Sequence, residues 1–253
     1  MQNSRARFNT RVVVFHLVLA AGVFAAPSQA SSEKPDKPAV AIARTVEVAV
    51  PPARSAAVST FDAASWADAE LGRIDRKVFA IALEAAAAAV ERGDADPSTL
   101  TIIDFSRPST TRRMWVYDLR SHELLFEEPV AHGRNSGHNR TTTFSNEPES
   151  HKSSLGLFRT AEGYVGKHGY SLRLDGLERG INDRARARAI VIHGAEYVNL
   201  RTAEAQGRLG RSLGCPAVRP EIARPLIDAV KGGGLLFAYS PDAGYLASST
   251  YLN

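Results

Sequence analysis

A short apolar, largely β-branched run, Ile190-Val191-Ile192, stops abruptly at His193-Gly194, and the stretch that follows carries the only cysteine of the chain, Cys215. Such a run reads as a buried strand, and a polar residue at its end sits at the rim of a sheet. Gly207, Gly210 and Gly214 interrupt the following loop, and Ser212-Leu213-Gly214-Cys215-Pro216 closes it in a tight turn. A glycine directly before the cysteine lets backbone N–H groups face outward, as an oxyanion hole requires. Arg188, Arg201, Arg208, Arg211 and Arg219 outnumber Glu196 and Glu204 here, and a positive field favours thiolate over thiol. A neutral imidazole nearby can take the thiol proton, which is the Cys–His arrangement of an acyl-transfer enzyme. Most single cysteines are small buried hydrophobes, and a histidine ending an apolar strand is as often a core residue bonded to backbone. The Gly/Arg/Ser setting of Cys215 sets it apart from that common case.

Ile192-His193-Gly194, followed by Gly210-Arg211-Ser212-Leu213-Gly214-Cys215-Pro216-Ala217-Val218, resembles the L,D-transpeptidase catalytic-domain family, whose signature is a His-Gly and, later, Ser-x-Gly-Cys. Asp104-Phe105-Ser106, Ala131-His132-Gly133, Gly166-Lys167-His168-Gly169-Tyr170-Ser171 and Gly180-Ile181-Asn182 look like its murein L,D-transpeptidase branch, so the resemblance spans residues 70–240. It implies a mainly β fold with peripheral helices, an L,D-transpeptidase-type mixed β-sandwich. It also implies cross-linking of peptidoglycan stem peptides through a Cys215 thioester, with His193 as base, Gly214 at the oxyanion hole and no cofactor. A backbone carbonyl is the expected partner fixing the His193 tautomer, since no carboxylate is obvious. Arg211, Ser212, His168, Ser154, Tyr170 and Asn146 are the candidates for substrate contact. Leu213 and Ala217 depart from the wider family pattern, which often has histidine and arginine there, so carboxylate contacts do not carry over to those positions. Two other readings stay open: an L,D-carboxypeptidase, with water replacing the acceptor amine, and a catalytically silent cell-wall-binding module.

The chain opens on an address. Arg5, Arg7 and Arg11 precede an apolar run from Val12 to Ala26, and Ser28-Gln29-Ala30 offers small residues for cleavage, so residues 1–30 read as a signal peptide. The run is short for a bilayer span, which implies a periplasmic or secreted protein with no stable membrane span after cleavage. Residues 31–60, rich in Ala, Pro and Ser, read as a flexible linker, residues 61–245 as one catalytic domain and 246–253 as a tail. A helical pattern runs from Phe61 to Arg92 with Asp75 as a cap. Strands are expected at Thr101–Phe105, Met114–Leu119, Glu123–Val130, Leu155–Thr160, Tyr170–Leu174 and Leu235–Tyr239, and a short helix at Pro225–Lys231. His132, His138, His151 and His168 lack the spacing of a zinc site, so no metal is expected. The net charge of +4 comes without an aromatic-interleaved basic patch, which argues against nucleic acid and suits an anionic wall polymer.

Overall fold

The structure, a computed structural model, describes residues 60–253. The expected signal peptide and nearly all of the expected linker lie outside the described residues. Asp75 caps helix α1 (Arg76–Glu91), its carboxylate accepting from the Lys77 N–H at 2.7 Å. Val78, Phe79, Leu83 and a row of alanines form the buried face of α1, and the small side chains let the helix lie close to its neighbours. The helix expected to begin at Phe61 is broken: a 3-10 turn at Ala63–Trp66 comes first, and Gly72, at φ +67°, redirects the chain before Asp75. Trp66 is buried edge-on against Phe79 and Tyr117, with ring centroids at 5.1 and 5.7 Å, and its indole N–H donates to Thr60 O.

Eight strands follow: β1 (Thr99–Asp104), β2 (Met114–Asp118), β3 (Glu123–Glu128), β4 (Gly156–Gly166), β5 (Gly169–Gly176), β6 (Val191–Gly194), β7 (Ala217–Val218) and β8 (Leu235–Tyr239). They form one mixed sheet in the order β3-β2-β1-β8-β4-β5-β6-β7, with β1–β8 and β6–β7 parallel and the other pairs antiparallel. Past the end of β3 the chain meets the opposite edge: the Ala131 N–H donates to Ala217 O at 2.8 Å, and the Ser212 N–H to His132 O at 2.9 Å. The sheet thus curls toward a barrel, and every residue of β1 is buried inside it. Closing the edges in this way removes unpaired strand rims and brings the loop before β7 against the loop after β3.

Helices α2 (Leu200–Gln206), α3 (Pro220–Val230) and α4 (Ala243–Ser248) decorate the sheet. α3 begins five residues earlier than the sequence pattern suggests, because Pro220 starts it with a preset φ. Pro225 then lies inside the helix on its exposed side. The last residues are packed rather than a free tail: Tyr245 and Tyr251 are buried, and the Tyr251 hydroxyl donates to Asp94 at 2.8 Å. The boundary expected at 245 therefore falls within α4.

Candidate active site

Cys215 is partly exposed at the end of a turn braced by Ser212 from within and by the neighbouring loops from outside. Ser212 Oγ donates to Cys215 O at 2.6 Å and accepts from the Gly214 N–H at 3.1 Å. The Gly214 carbonyl in turn accepts from Ser153 Oγ at 3.2 Å. Gly214 lies at φ +127°, and a Cβ there would stand 2.9 Å from Lys152 O and 3.0 Å from Ile190 Cδ1. Its N–H is therefore already committed to Ser212, which corrects its expected place among the oxyanion donors: glycine is required here for conformation and close approach. The Cys215 N–H is the donor of this turn that lies beside the sulfur, joined by the Val191 N–H from β6.

The positive field expected around the thiol is present but does not win. Burial pushes the Cys215 thiol up, against the Val191 N–H and then the charges of Arg188 and Lys167, which act the other way. The net shift keeps the resting group a thiol, so proton removal needs a base. Sγ donates to Ala189 O at 3.6 Å. Ala189 is itself held at φ +54°, a left-handed conformation uncommon for a residue with a Cβ. Arg188, next to it, has its half-buried guanidinium tied to Ser145 O, Ser154 Oγ, Ser150 Oγ and Lys152 O, at 2.6 to 3.2 Å. It thereby sets a fixed positive charge whose field reaches the sulfur and fastens residues 145–154 beside Ala189.

The parallel pairing of β6 with β7 sets His193 opposite Ala217, two residues beyond the cysteine. His193 is buried, and its Nδ1 lies 2.9 Å from Gly194 O. A carbonyl only accepts, so Nδ1 carries the proton and Nε2 is left with its lone pair free. The expected backbone carbonyl is thus that of the next residue. Burial lowers the proton affinity of His193, the Gly194 carbonyl opposes this, and the His168 ring lowers it again. The neutral imidazole is the form a general base needs.

The remaining candidates divide by what they touch. Asn146 is spent within the fold, its amide donating to Asp183 and its carbonyl accepting from the Arg184 N–H. Ser154 donates to Ser145 O and receives Arg188. Ser212 closes the cysteine turn, and Arg211 donates to Arg134 O and Gly137 O, fastening the loop edge. Tyr170 faces α3, donating to Asp228 at 2.8 Å with Arg224 stacked over its ring. His168 stacks on His193 with centroids 4.5 Å apart. His132 is wholly buried, accepting from Arg113 Nη2 at 2.8 Å, and so belongs to the scaffold. Sequence reasoning did not single out Tyr197, whose phenol is pushed up to about 12 by burial and then by Cys215. Tyr197 and Leu213 are both large apolar residues left exposed on this rim. A cleft of ≈ 330 Å³ adjoins the site, lined by His168, Tyr170, Gly194, Glu196 and Arg224 among others. Among the described residues no cluster of His, Cys, Asp or Glu is arranged to hold a metal ion, and no helix is long and apolar enough to cross a membrane.

Residues 70–239 match the family described as L,D-transpeptidase catalytic domain. Among solved structures, an L,D-transpeptidase from Mycobacterium smegmatis is similar at 15% identity and a TM-score of 0.35, over 56% of this chain and 59% of that one. A mutant L,D-transpeptidase from Enterococcus faecium is similar at 14% identity and a TM-score of 0.35, over 56% and 50%. One from Xylanimonas cellulosilytica is similar at 15% identity and a TM-score of 0.33, over 63% and 77%. The match thus spans less than two thirds of the length of the first two of these chains. Curated protein sequences contain no match. With about two thirds of its length inside the family match, the chain belongs to the L,D-transpeptidase catalytic-domain family.

Proposed function

We propose that the protein is a peptidoglycan L,D-transpeptidase in which Cys215 is the nucleophile and His193 the base. The observation that carries this reading is the pairing of a buried, neutral His193, its tautomer set by Gly194 O, with a cysteine loop held one strand away. Rotation about the Cys215 Cα–Cβ bond takes the thiol proton from Ala189 O toward the free Nε2 of His193. The sulfur attacks the carbonyl of the L-centre residue of a donor stem peptide, forming the C–S bond. The resulting oxyanion gathers against the Cys215 N–H, which lies beside the sulfur, whereas the Gly214 N–H is held by Ser212. His193 returns the proton to the departing D-amino acid as the C–N bond breaks. An amine of a second stem then attacks the thioester and loses its proton to His193; the C–N bond of the new cross-link forms as the C–S bond breaks, and His193 returns the proton to the departing Cys215 thiolate.

We further propose that this takes place outside the cytoplasm, in the periplasm or beyond it. The basic start, apolar run and small residues at Ser28-Gln29-Ala30 support that placement. Intact-mass measurement with a tetrapeptide donor tests the covalent step. The wild type is expected to gain the mass of the acyl fragment with loss of the terminal D-amino acid, whereas Cys215→Ala gains nothing; an adduct on Cys215→Ala would overturn the assignment.

A further inference from the structure

We propose that His168 is a positioning residue for His193, holding the imidazole by stacking and shielding it from water; this rests on the reading of His193 as the base. β4 and β5 are joined through the Gly166–Gly169 pair by a two-residue turn, Lys167-His168, and Gly169 at φ +74° supplies the backbone that so tight a turn needs. The turn carries His168 back over β6, whose His193 is paired with Ser171. The two rings lie 4.5 Å apart at 26°. His168 is exposed while His193 beneath it is only 2% exposed, although His193 stands at the end of its strand beside an open cleft. One edge of His193 is fixed by Gly194 O, and α3 lies close enough to Gly194 that a Cβ there would stand 3.0 Å from Ala223 Cβ and 3.2 Å from Pro220 Cα. The stack supplies the restraint that the hydrogen bond alone does not, since a single bond leaves the ring free to tilt about it. Four other ionisable groups surround the pair: Lys167 in the same turn, Glu196 after β6, Arg224 on α3 and Cys215 itself. Tyr170 on β5 turns its hydroxyl to Asp228 and Lys231 instead.

Stacking and charge separate experimentally. His168→Phe keeps a flat ring over His193 and removes the protonatable group, whereas His168→Ala removes both. The side-chain titration of His193 by NMR, and the acidic limb of the rate at which iodoacetamide alkylates Cys215, need no substrate. In His168→Ala, His193 is expected to titrate at higher pH than in the wild type, the alkylation limb to move with it, and kcat for transfer to fall roughly tenfold with KM little changed. In His168→Phe, whose stack keeps the ring covered, the titration moves less and kcat stays within about threefold. An unmoved His193 titration in His168→Ala overturns the proposal. So does a raised KM with kcat intact, which would make His168 a substrate contact. If the wild type transfers nothing, the functional reading fails, and the titration of the two variants still decides whether His168 governs His193.

Discussion

Gly214 is the residue on which the cysteine turn depends most. At φ +127°, with Lys152 O and Ile190 Cδ1 within 3.0 Å of where a Cβ would stand, Gly214→Ala is expected to cost about 2–4 kcal/mol in urea unfolding and to slow Cys215 alkylation. His132 makes a second prediction. Burial and then the Arg113 charge lower its proton affinity to a pKa of about 4. The fold therefore prefers neutral imidazole. Its contribution is present above the unfolded value near 6.5 and is lost as pH falls toward 4, a loss of about 3 kcal/mol. Urea midpoints at pH 7 and pH 4.5 should differ less in His132→Gln than in the wild type; equal differences would contradict this. Cys215 and His193 stand out in the sequence because the proposed chemistry calls for those residue types. The rest of the site does not, since Ala189 O, Gly194 O and the Val191 N–H are backbone atoms that any residue carries. Arg188 is visible only as one arginine among many, and its partners at residues 145–154 come from a distant loop.

Among the elements, strands with continuous apolar runs were readable to within a few residues: β1, β2 and β8 are buried along nearly their whole length. β4 runs on to Gly166 well past its apolar start, because pairing with β5 rather than burial sustains it. α2 and α4 leave no clear sequence pattern, since each is short and held by contacts remote in sequence. α4 is docked by Glu178, a fully buried carboxylate that accepts from the Leu157 N–H at 2.7 Å, from Ser249 Oγ at 2.6 Å and from the Tyr245 hydroxyl at 3.3 Å. Truncating it strands those donors, so Glu178→Ala is expected to destabilise by about 3 kcal/mol or more. Ser249→Ala, which removes one donor, should cost about 1–3 kcal/mol. Thermal unfolding of the two variants checks the order.

At the scale of the molecule, a sequence pattern cannot distinguish a sandwich from a closed sheet, because closure rests on single long-range bonds such as Ala131 N–H to Ala217 O. Those bonds set the cysteine loop against the loop after β3. The packing of Trp66 at one end and Tyr251 at the other extends the folding unit beyond the family match. A fragment of residues 60–253 is expected to unfold in one cooperative transition, and one of residues 70–239, which lacks both aromatics, to melt several degrees lower or not to fold. Equal melting points would contradict that boundary. The central claim is tested most directly by mass-resolved muropeptide analysis after incubating tetrapeptide-bearing peptidoglycan fragments with the wild type and with Cys215→Ala. The account predicts cross-linked dimers with loss of a terminal D-amino acid in the wild type and none in the variant. Shortened monomers without dimers, or dimers formed equally well by Cys215→Ala, would contradict it.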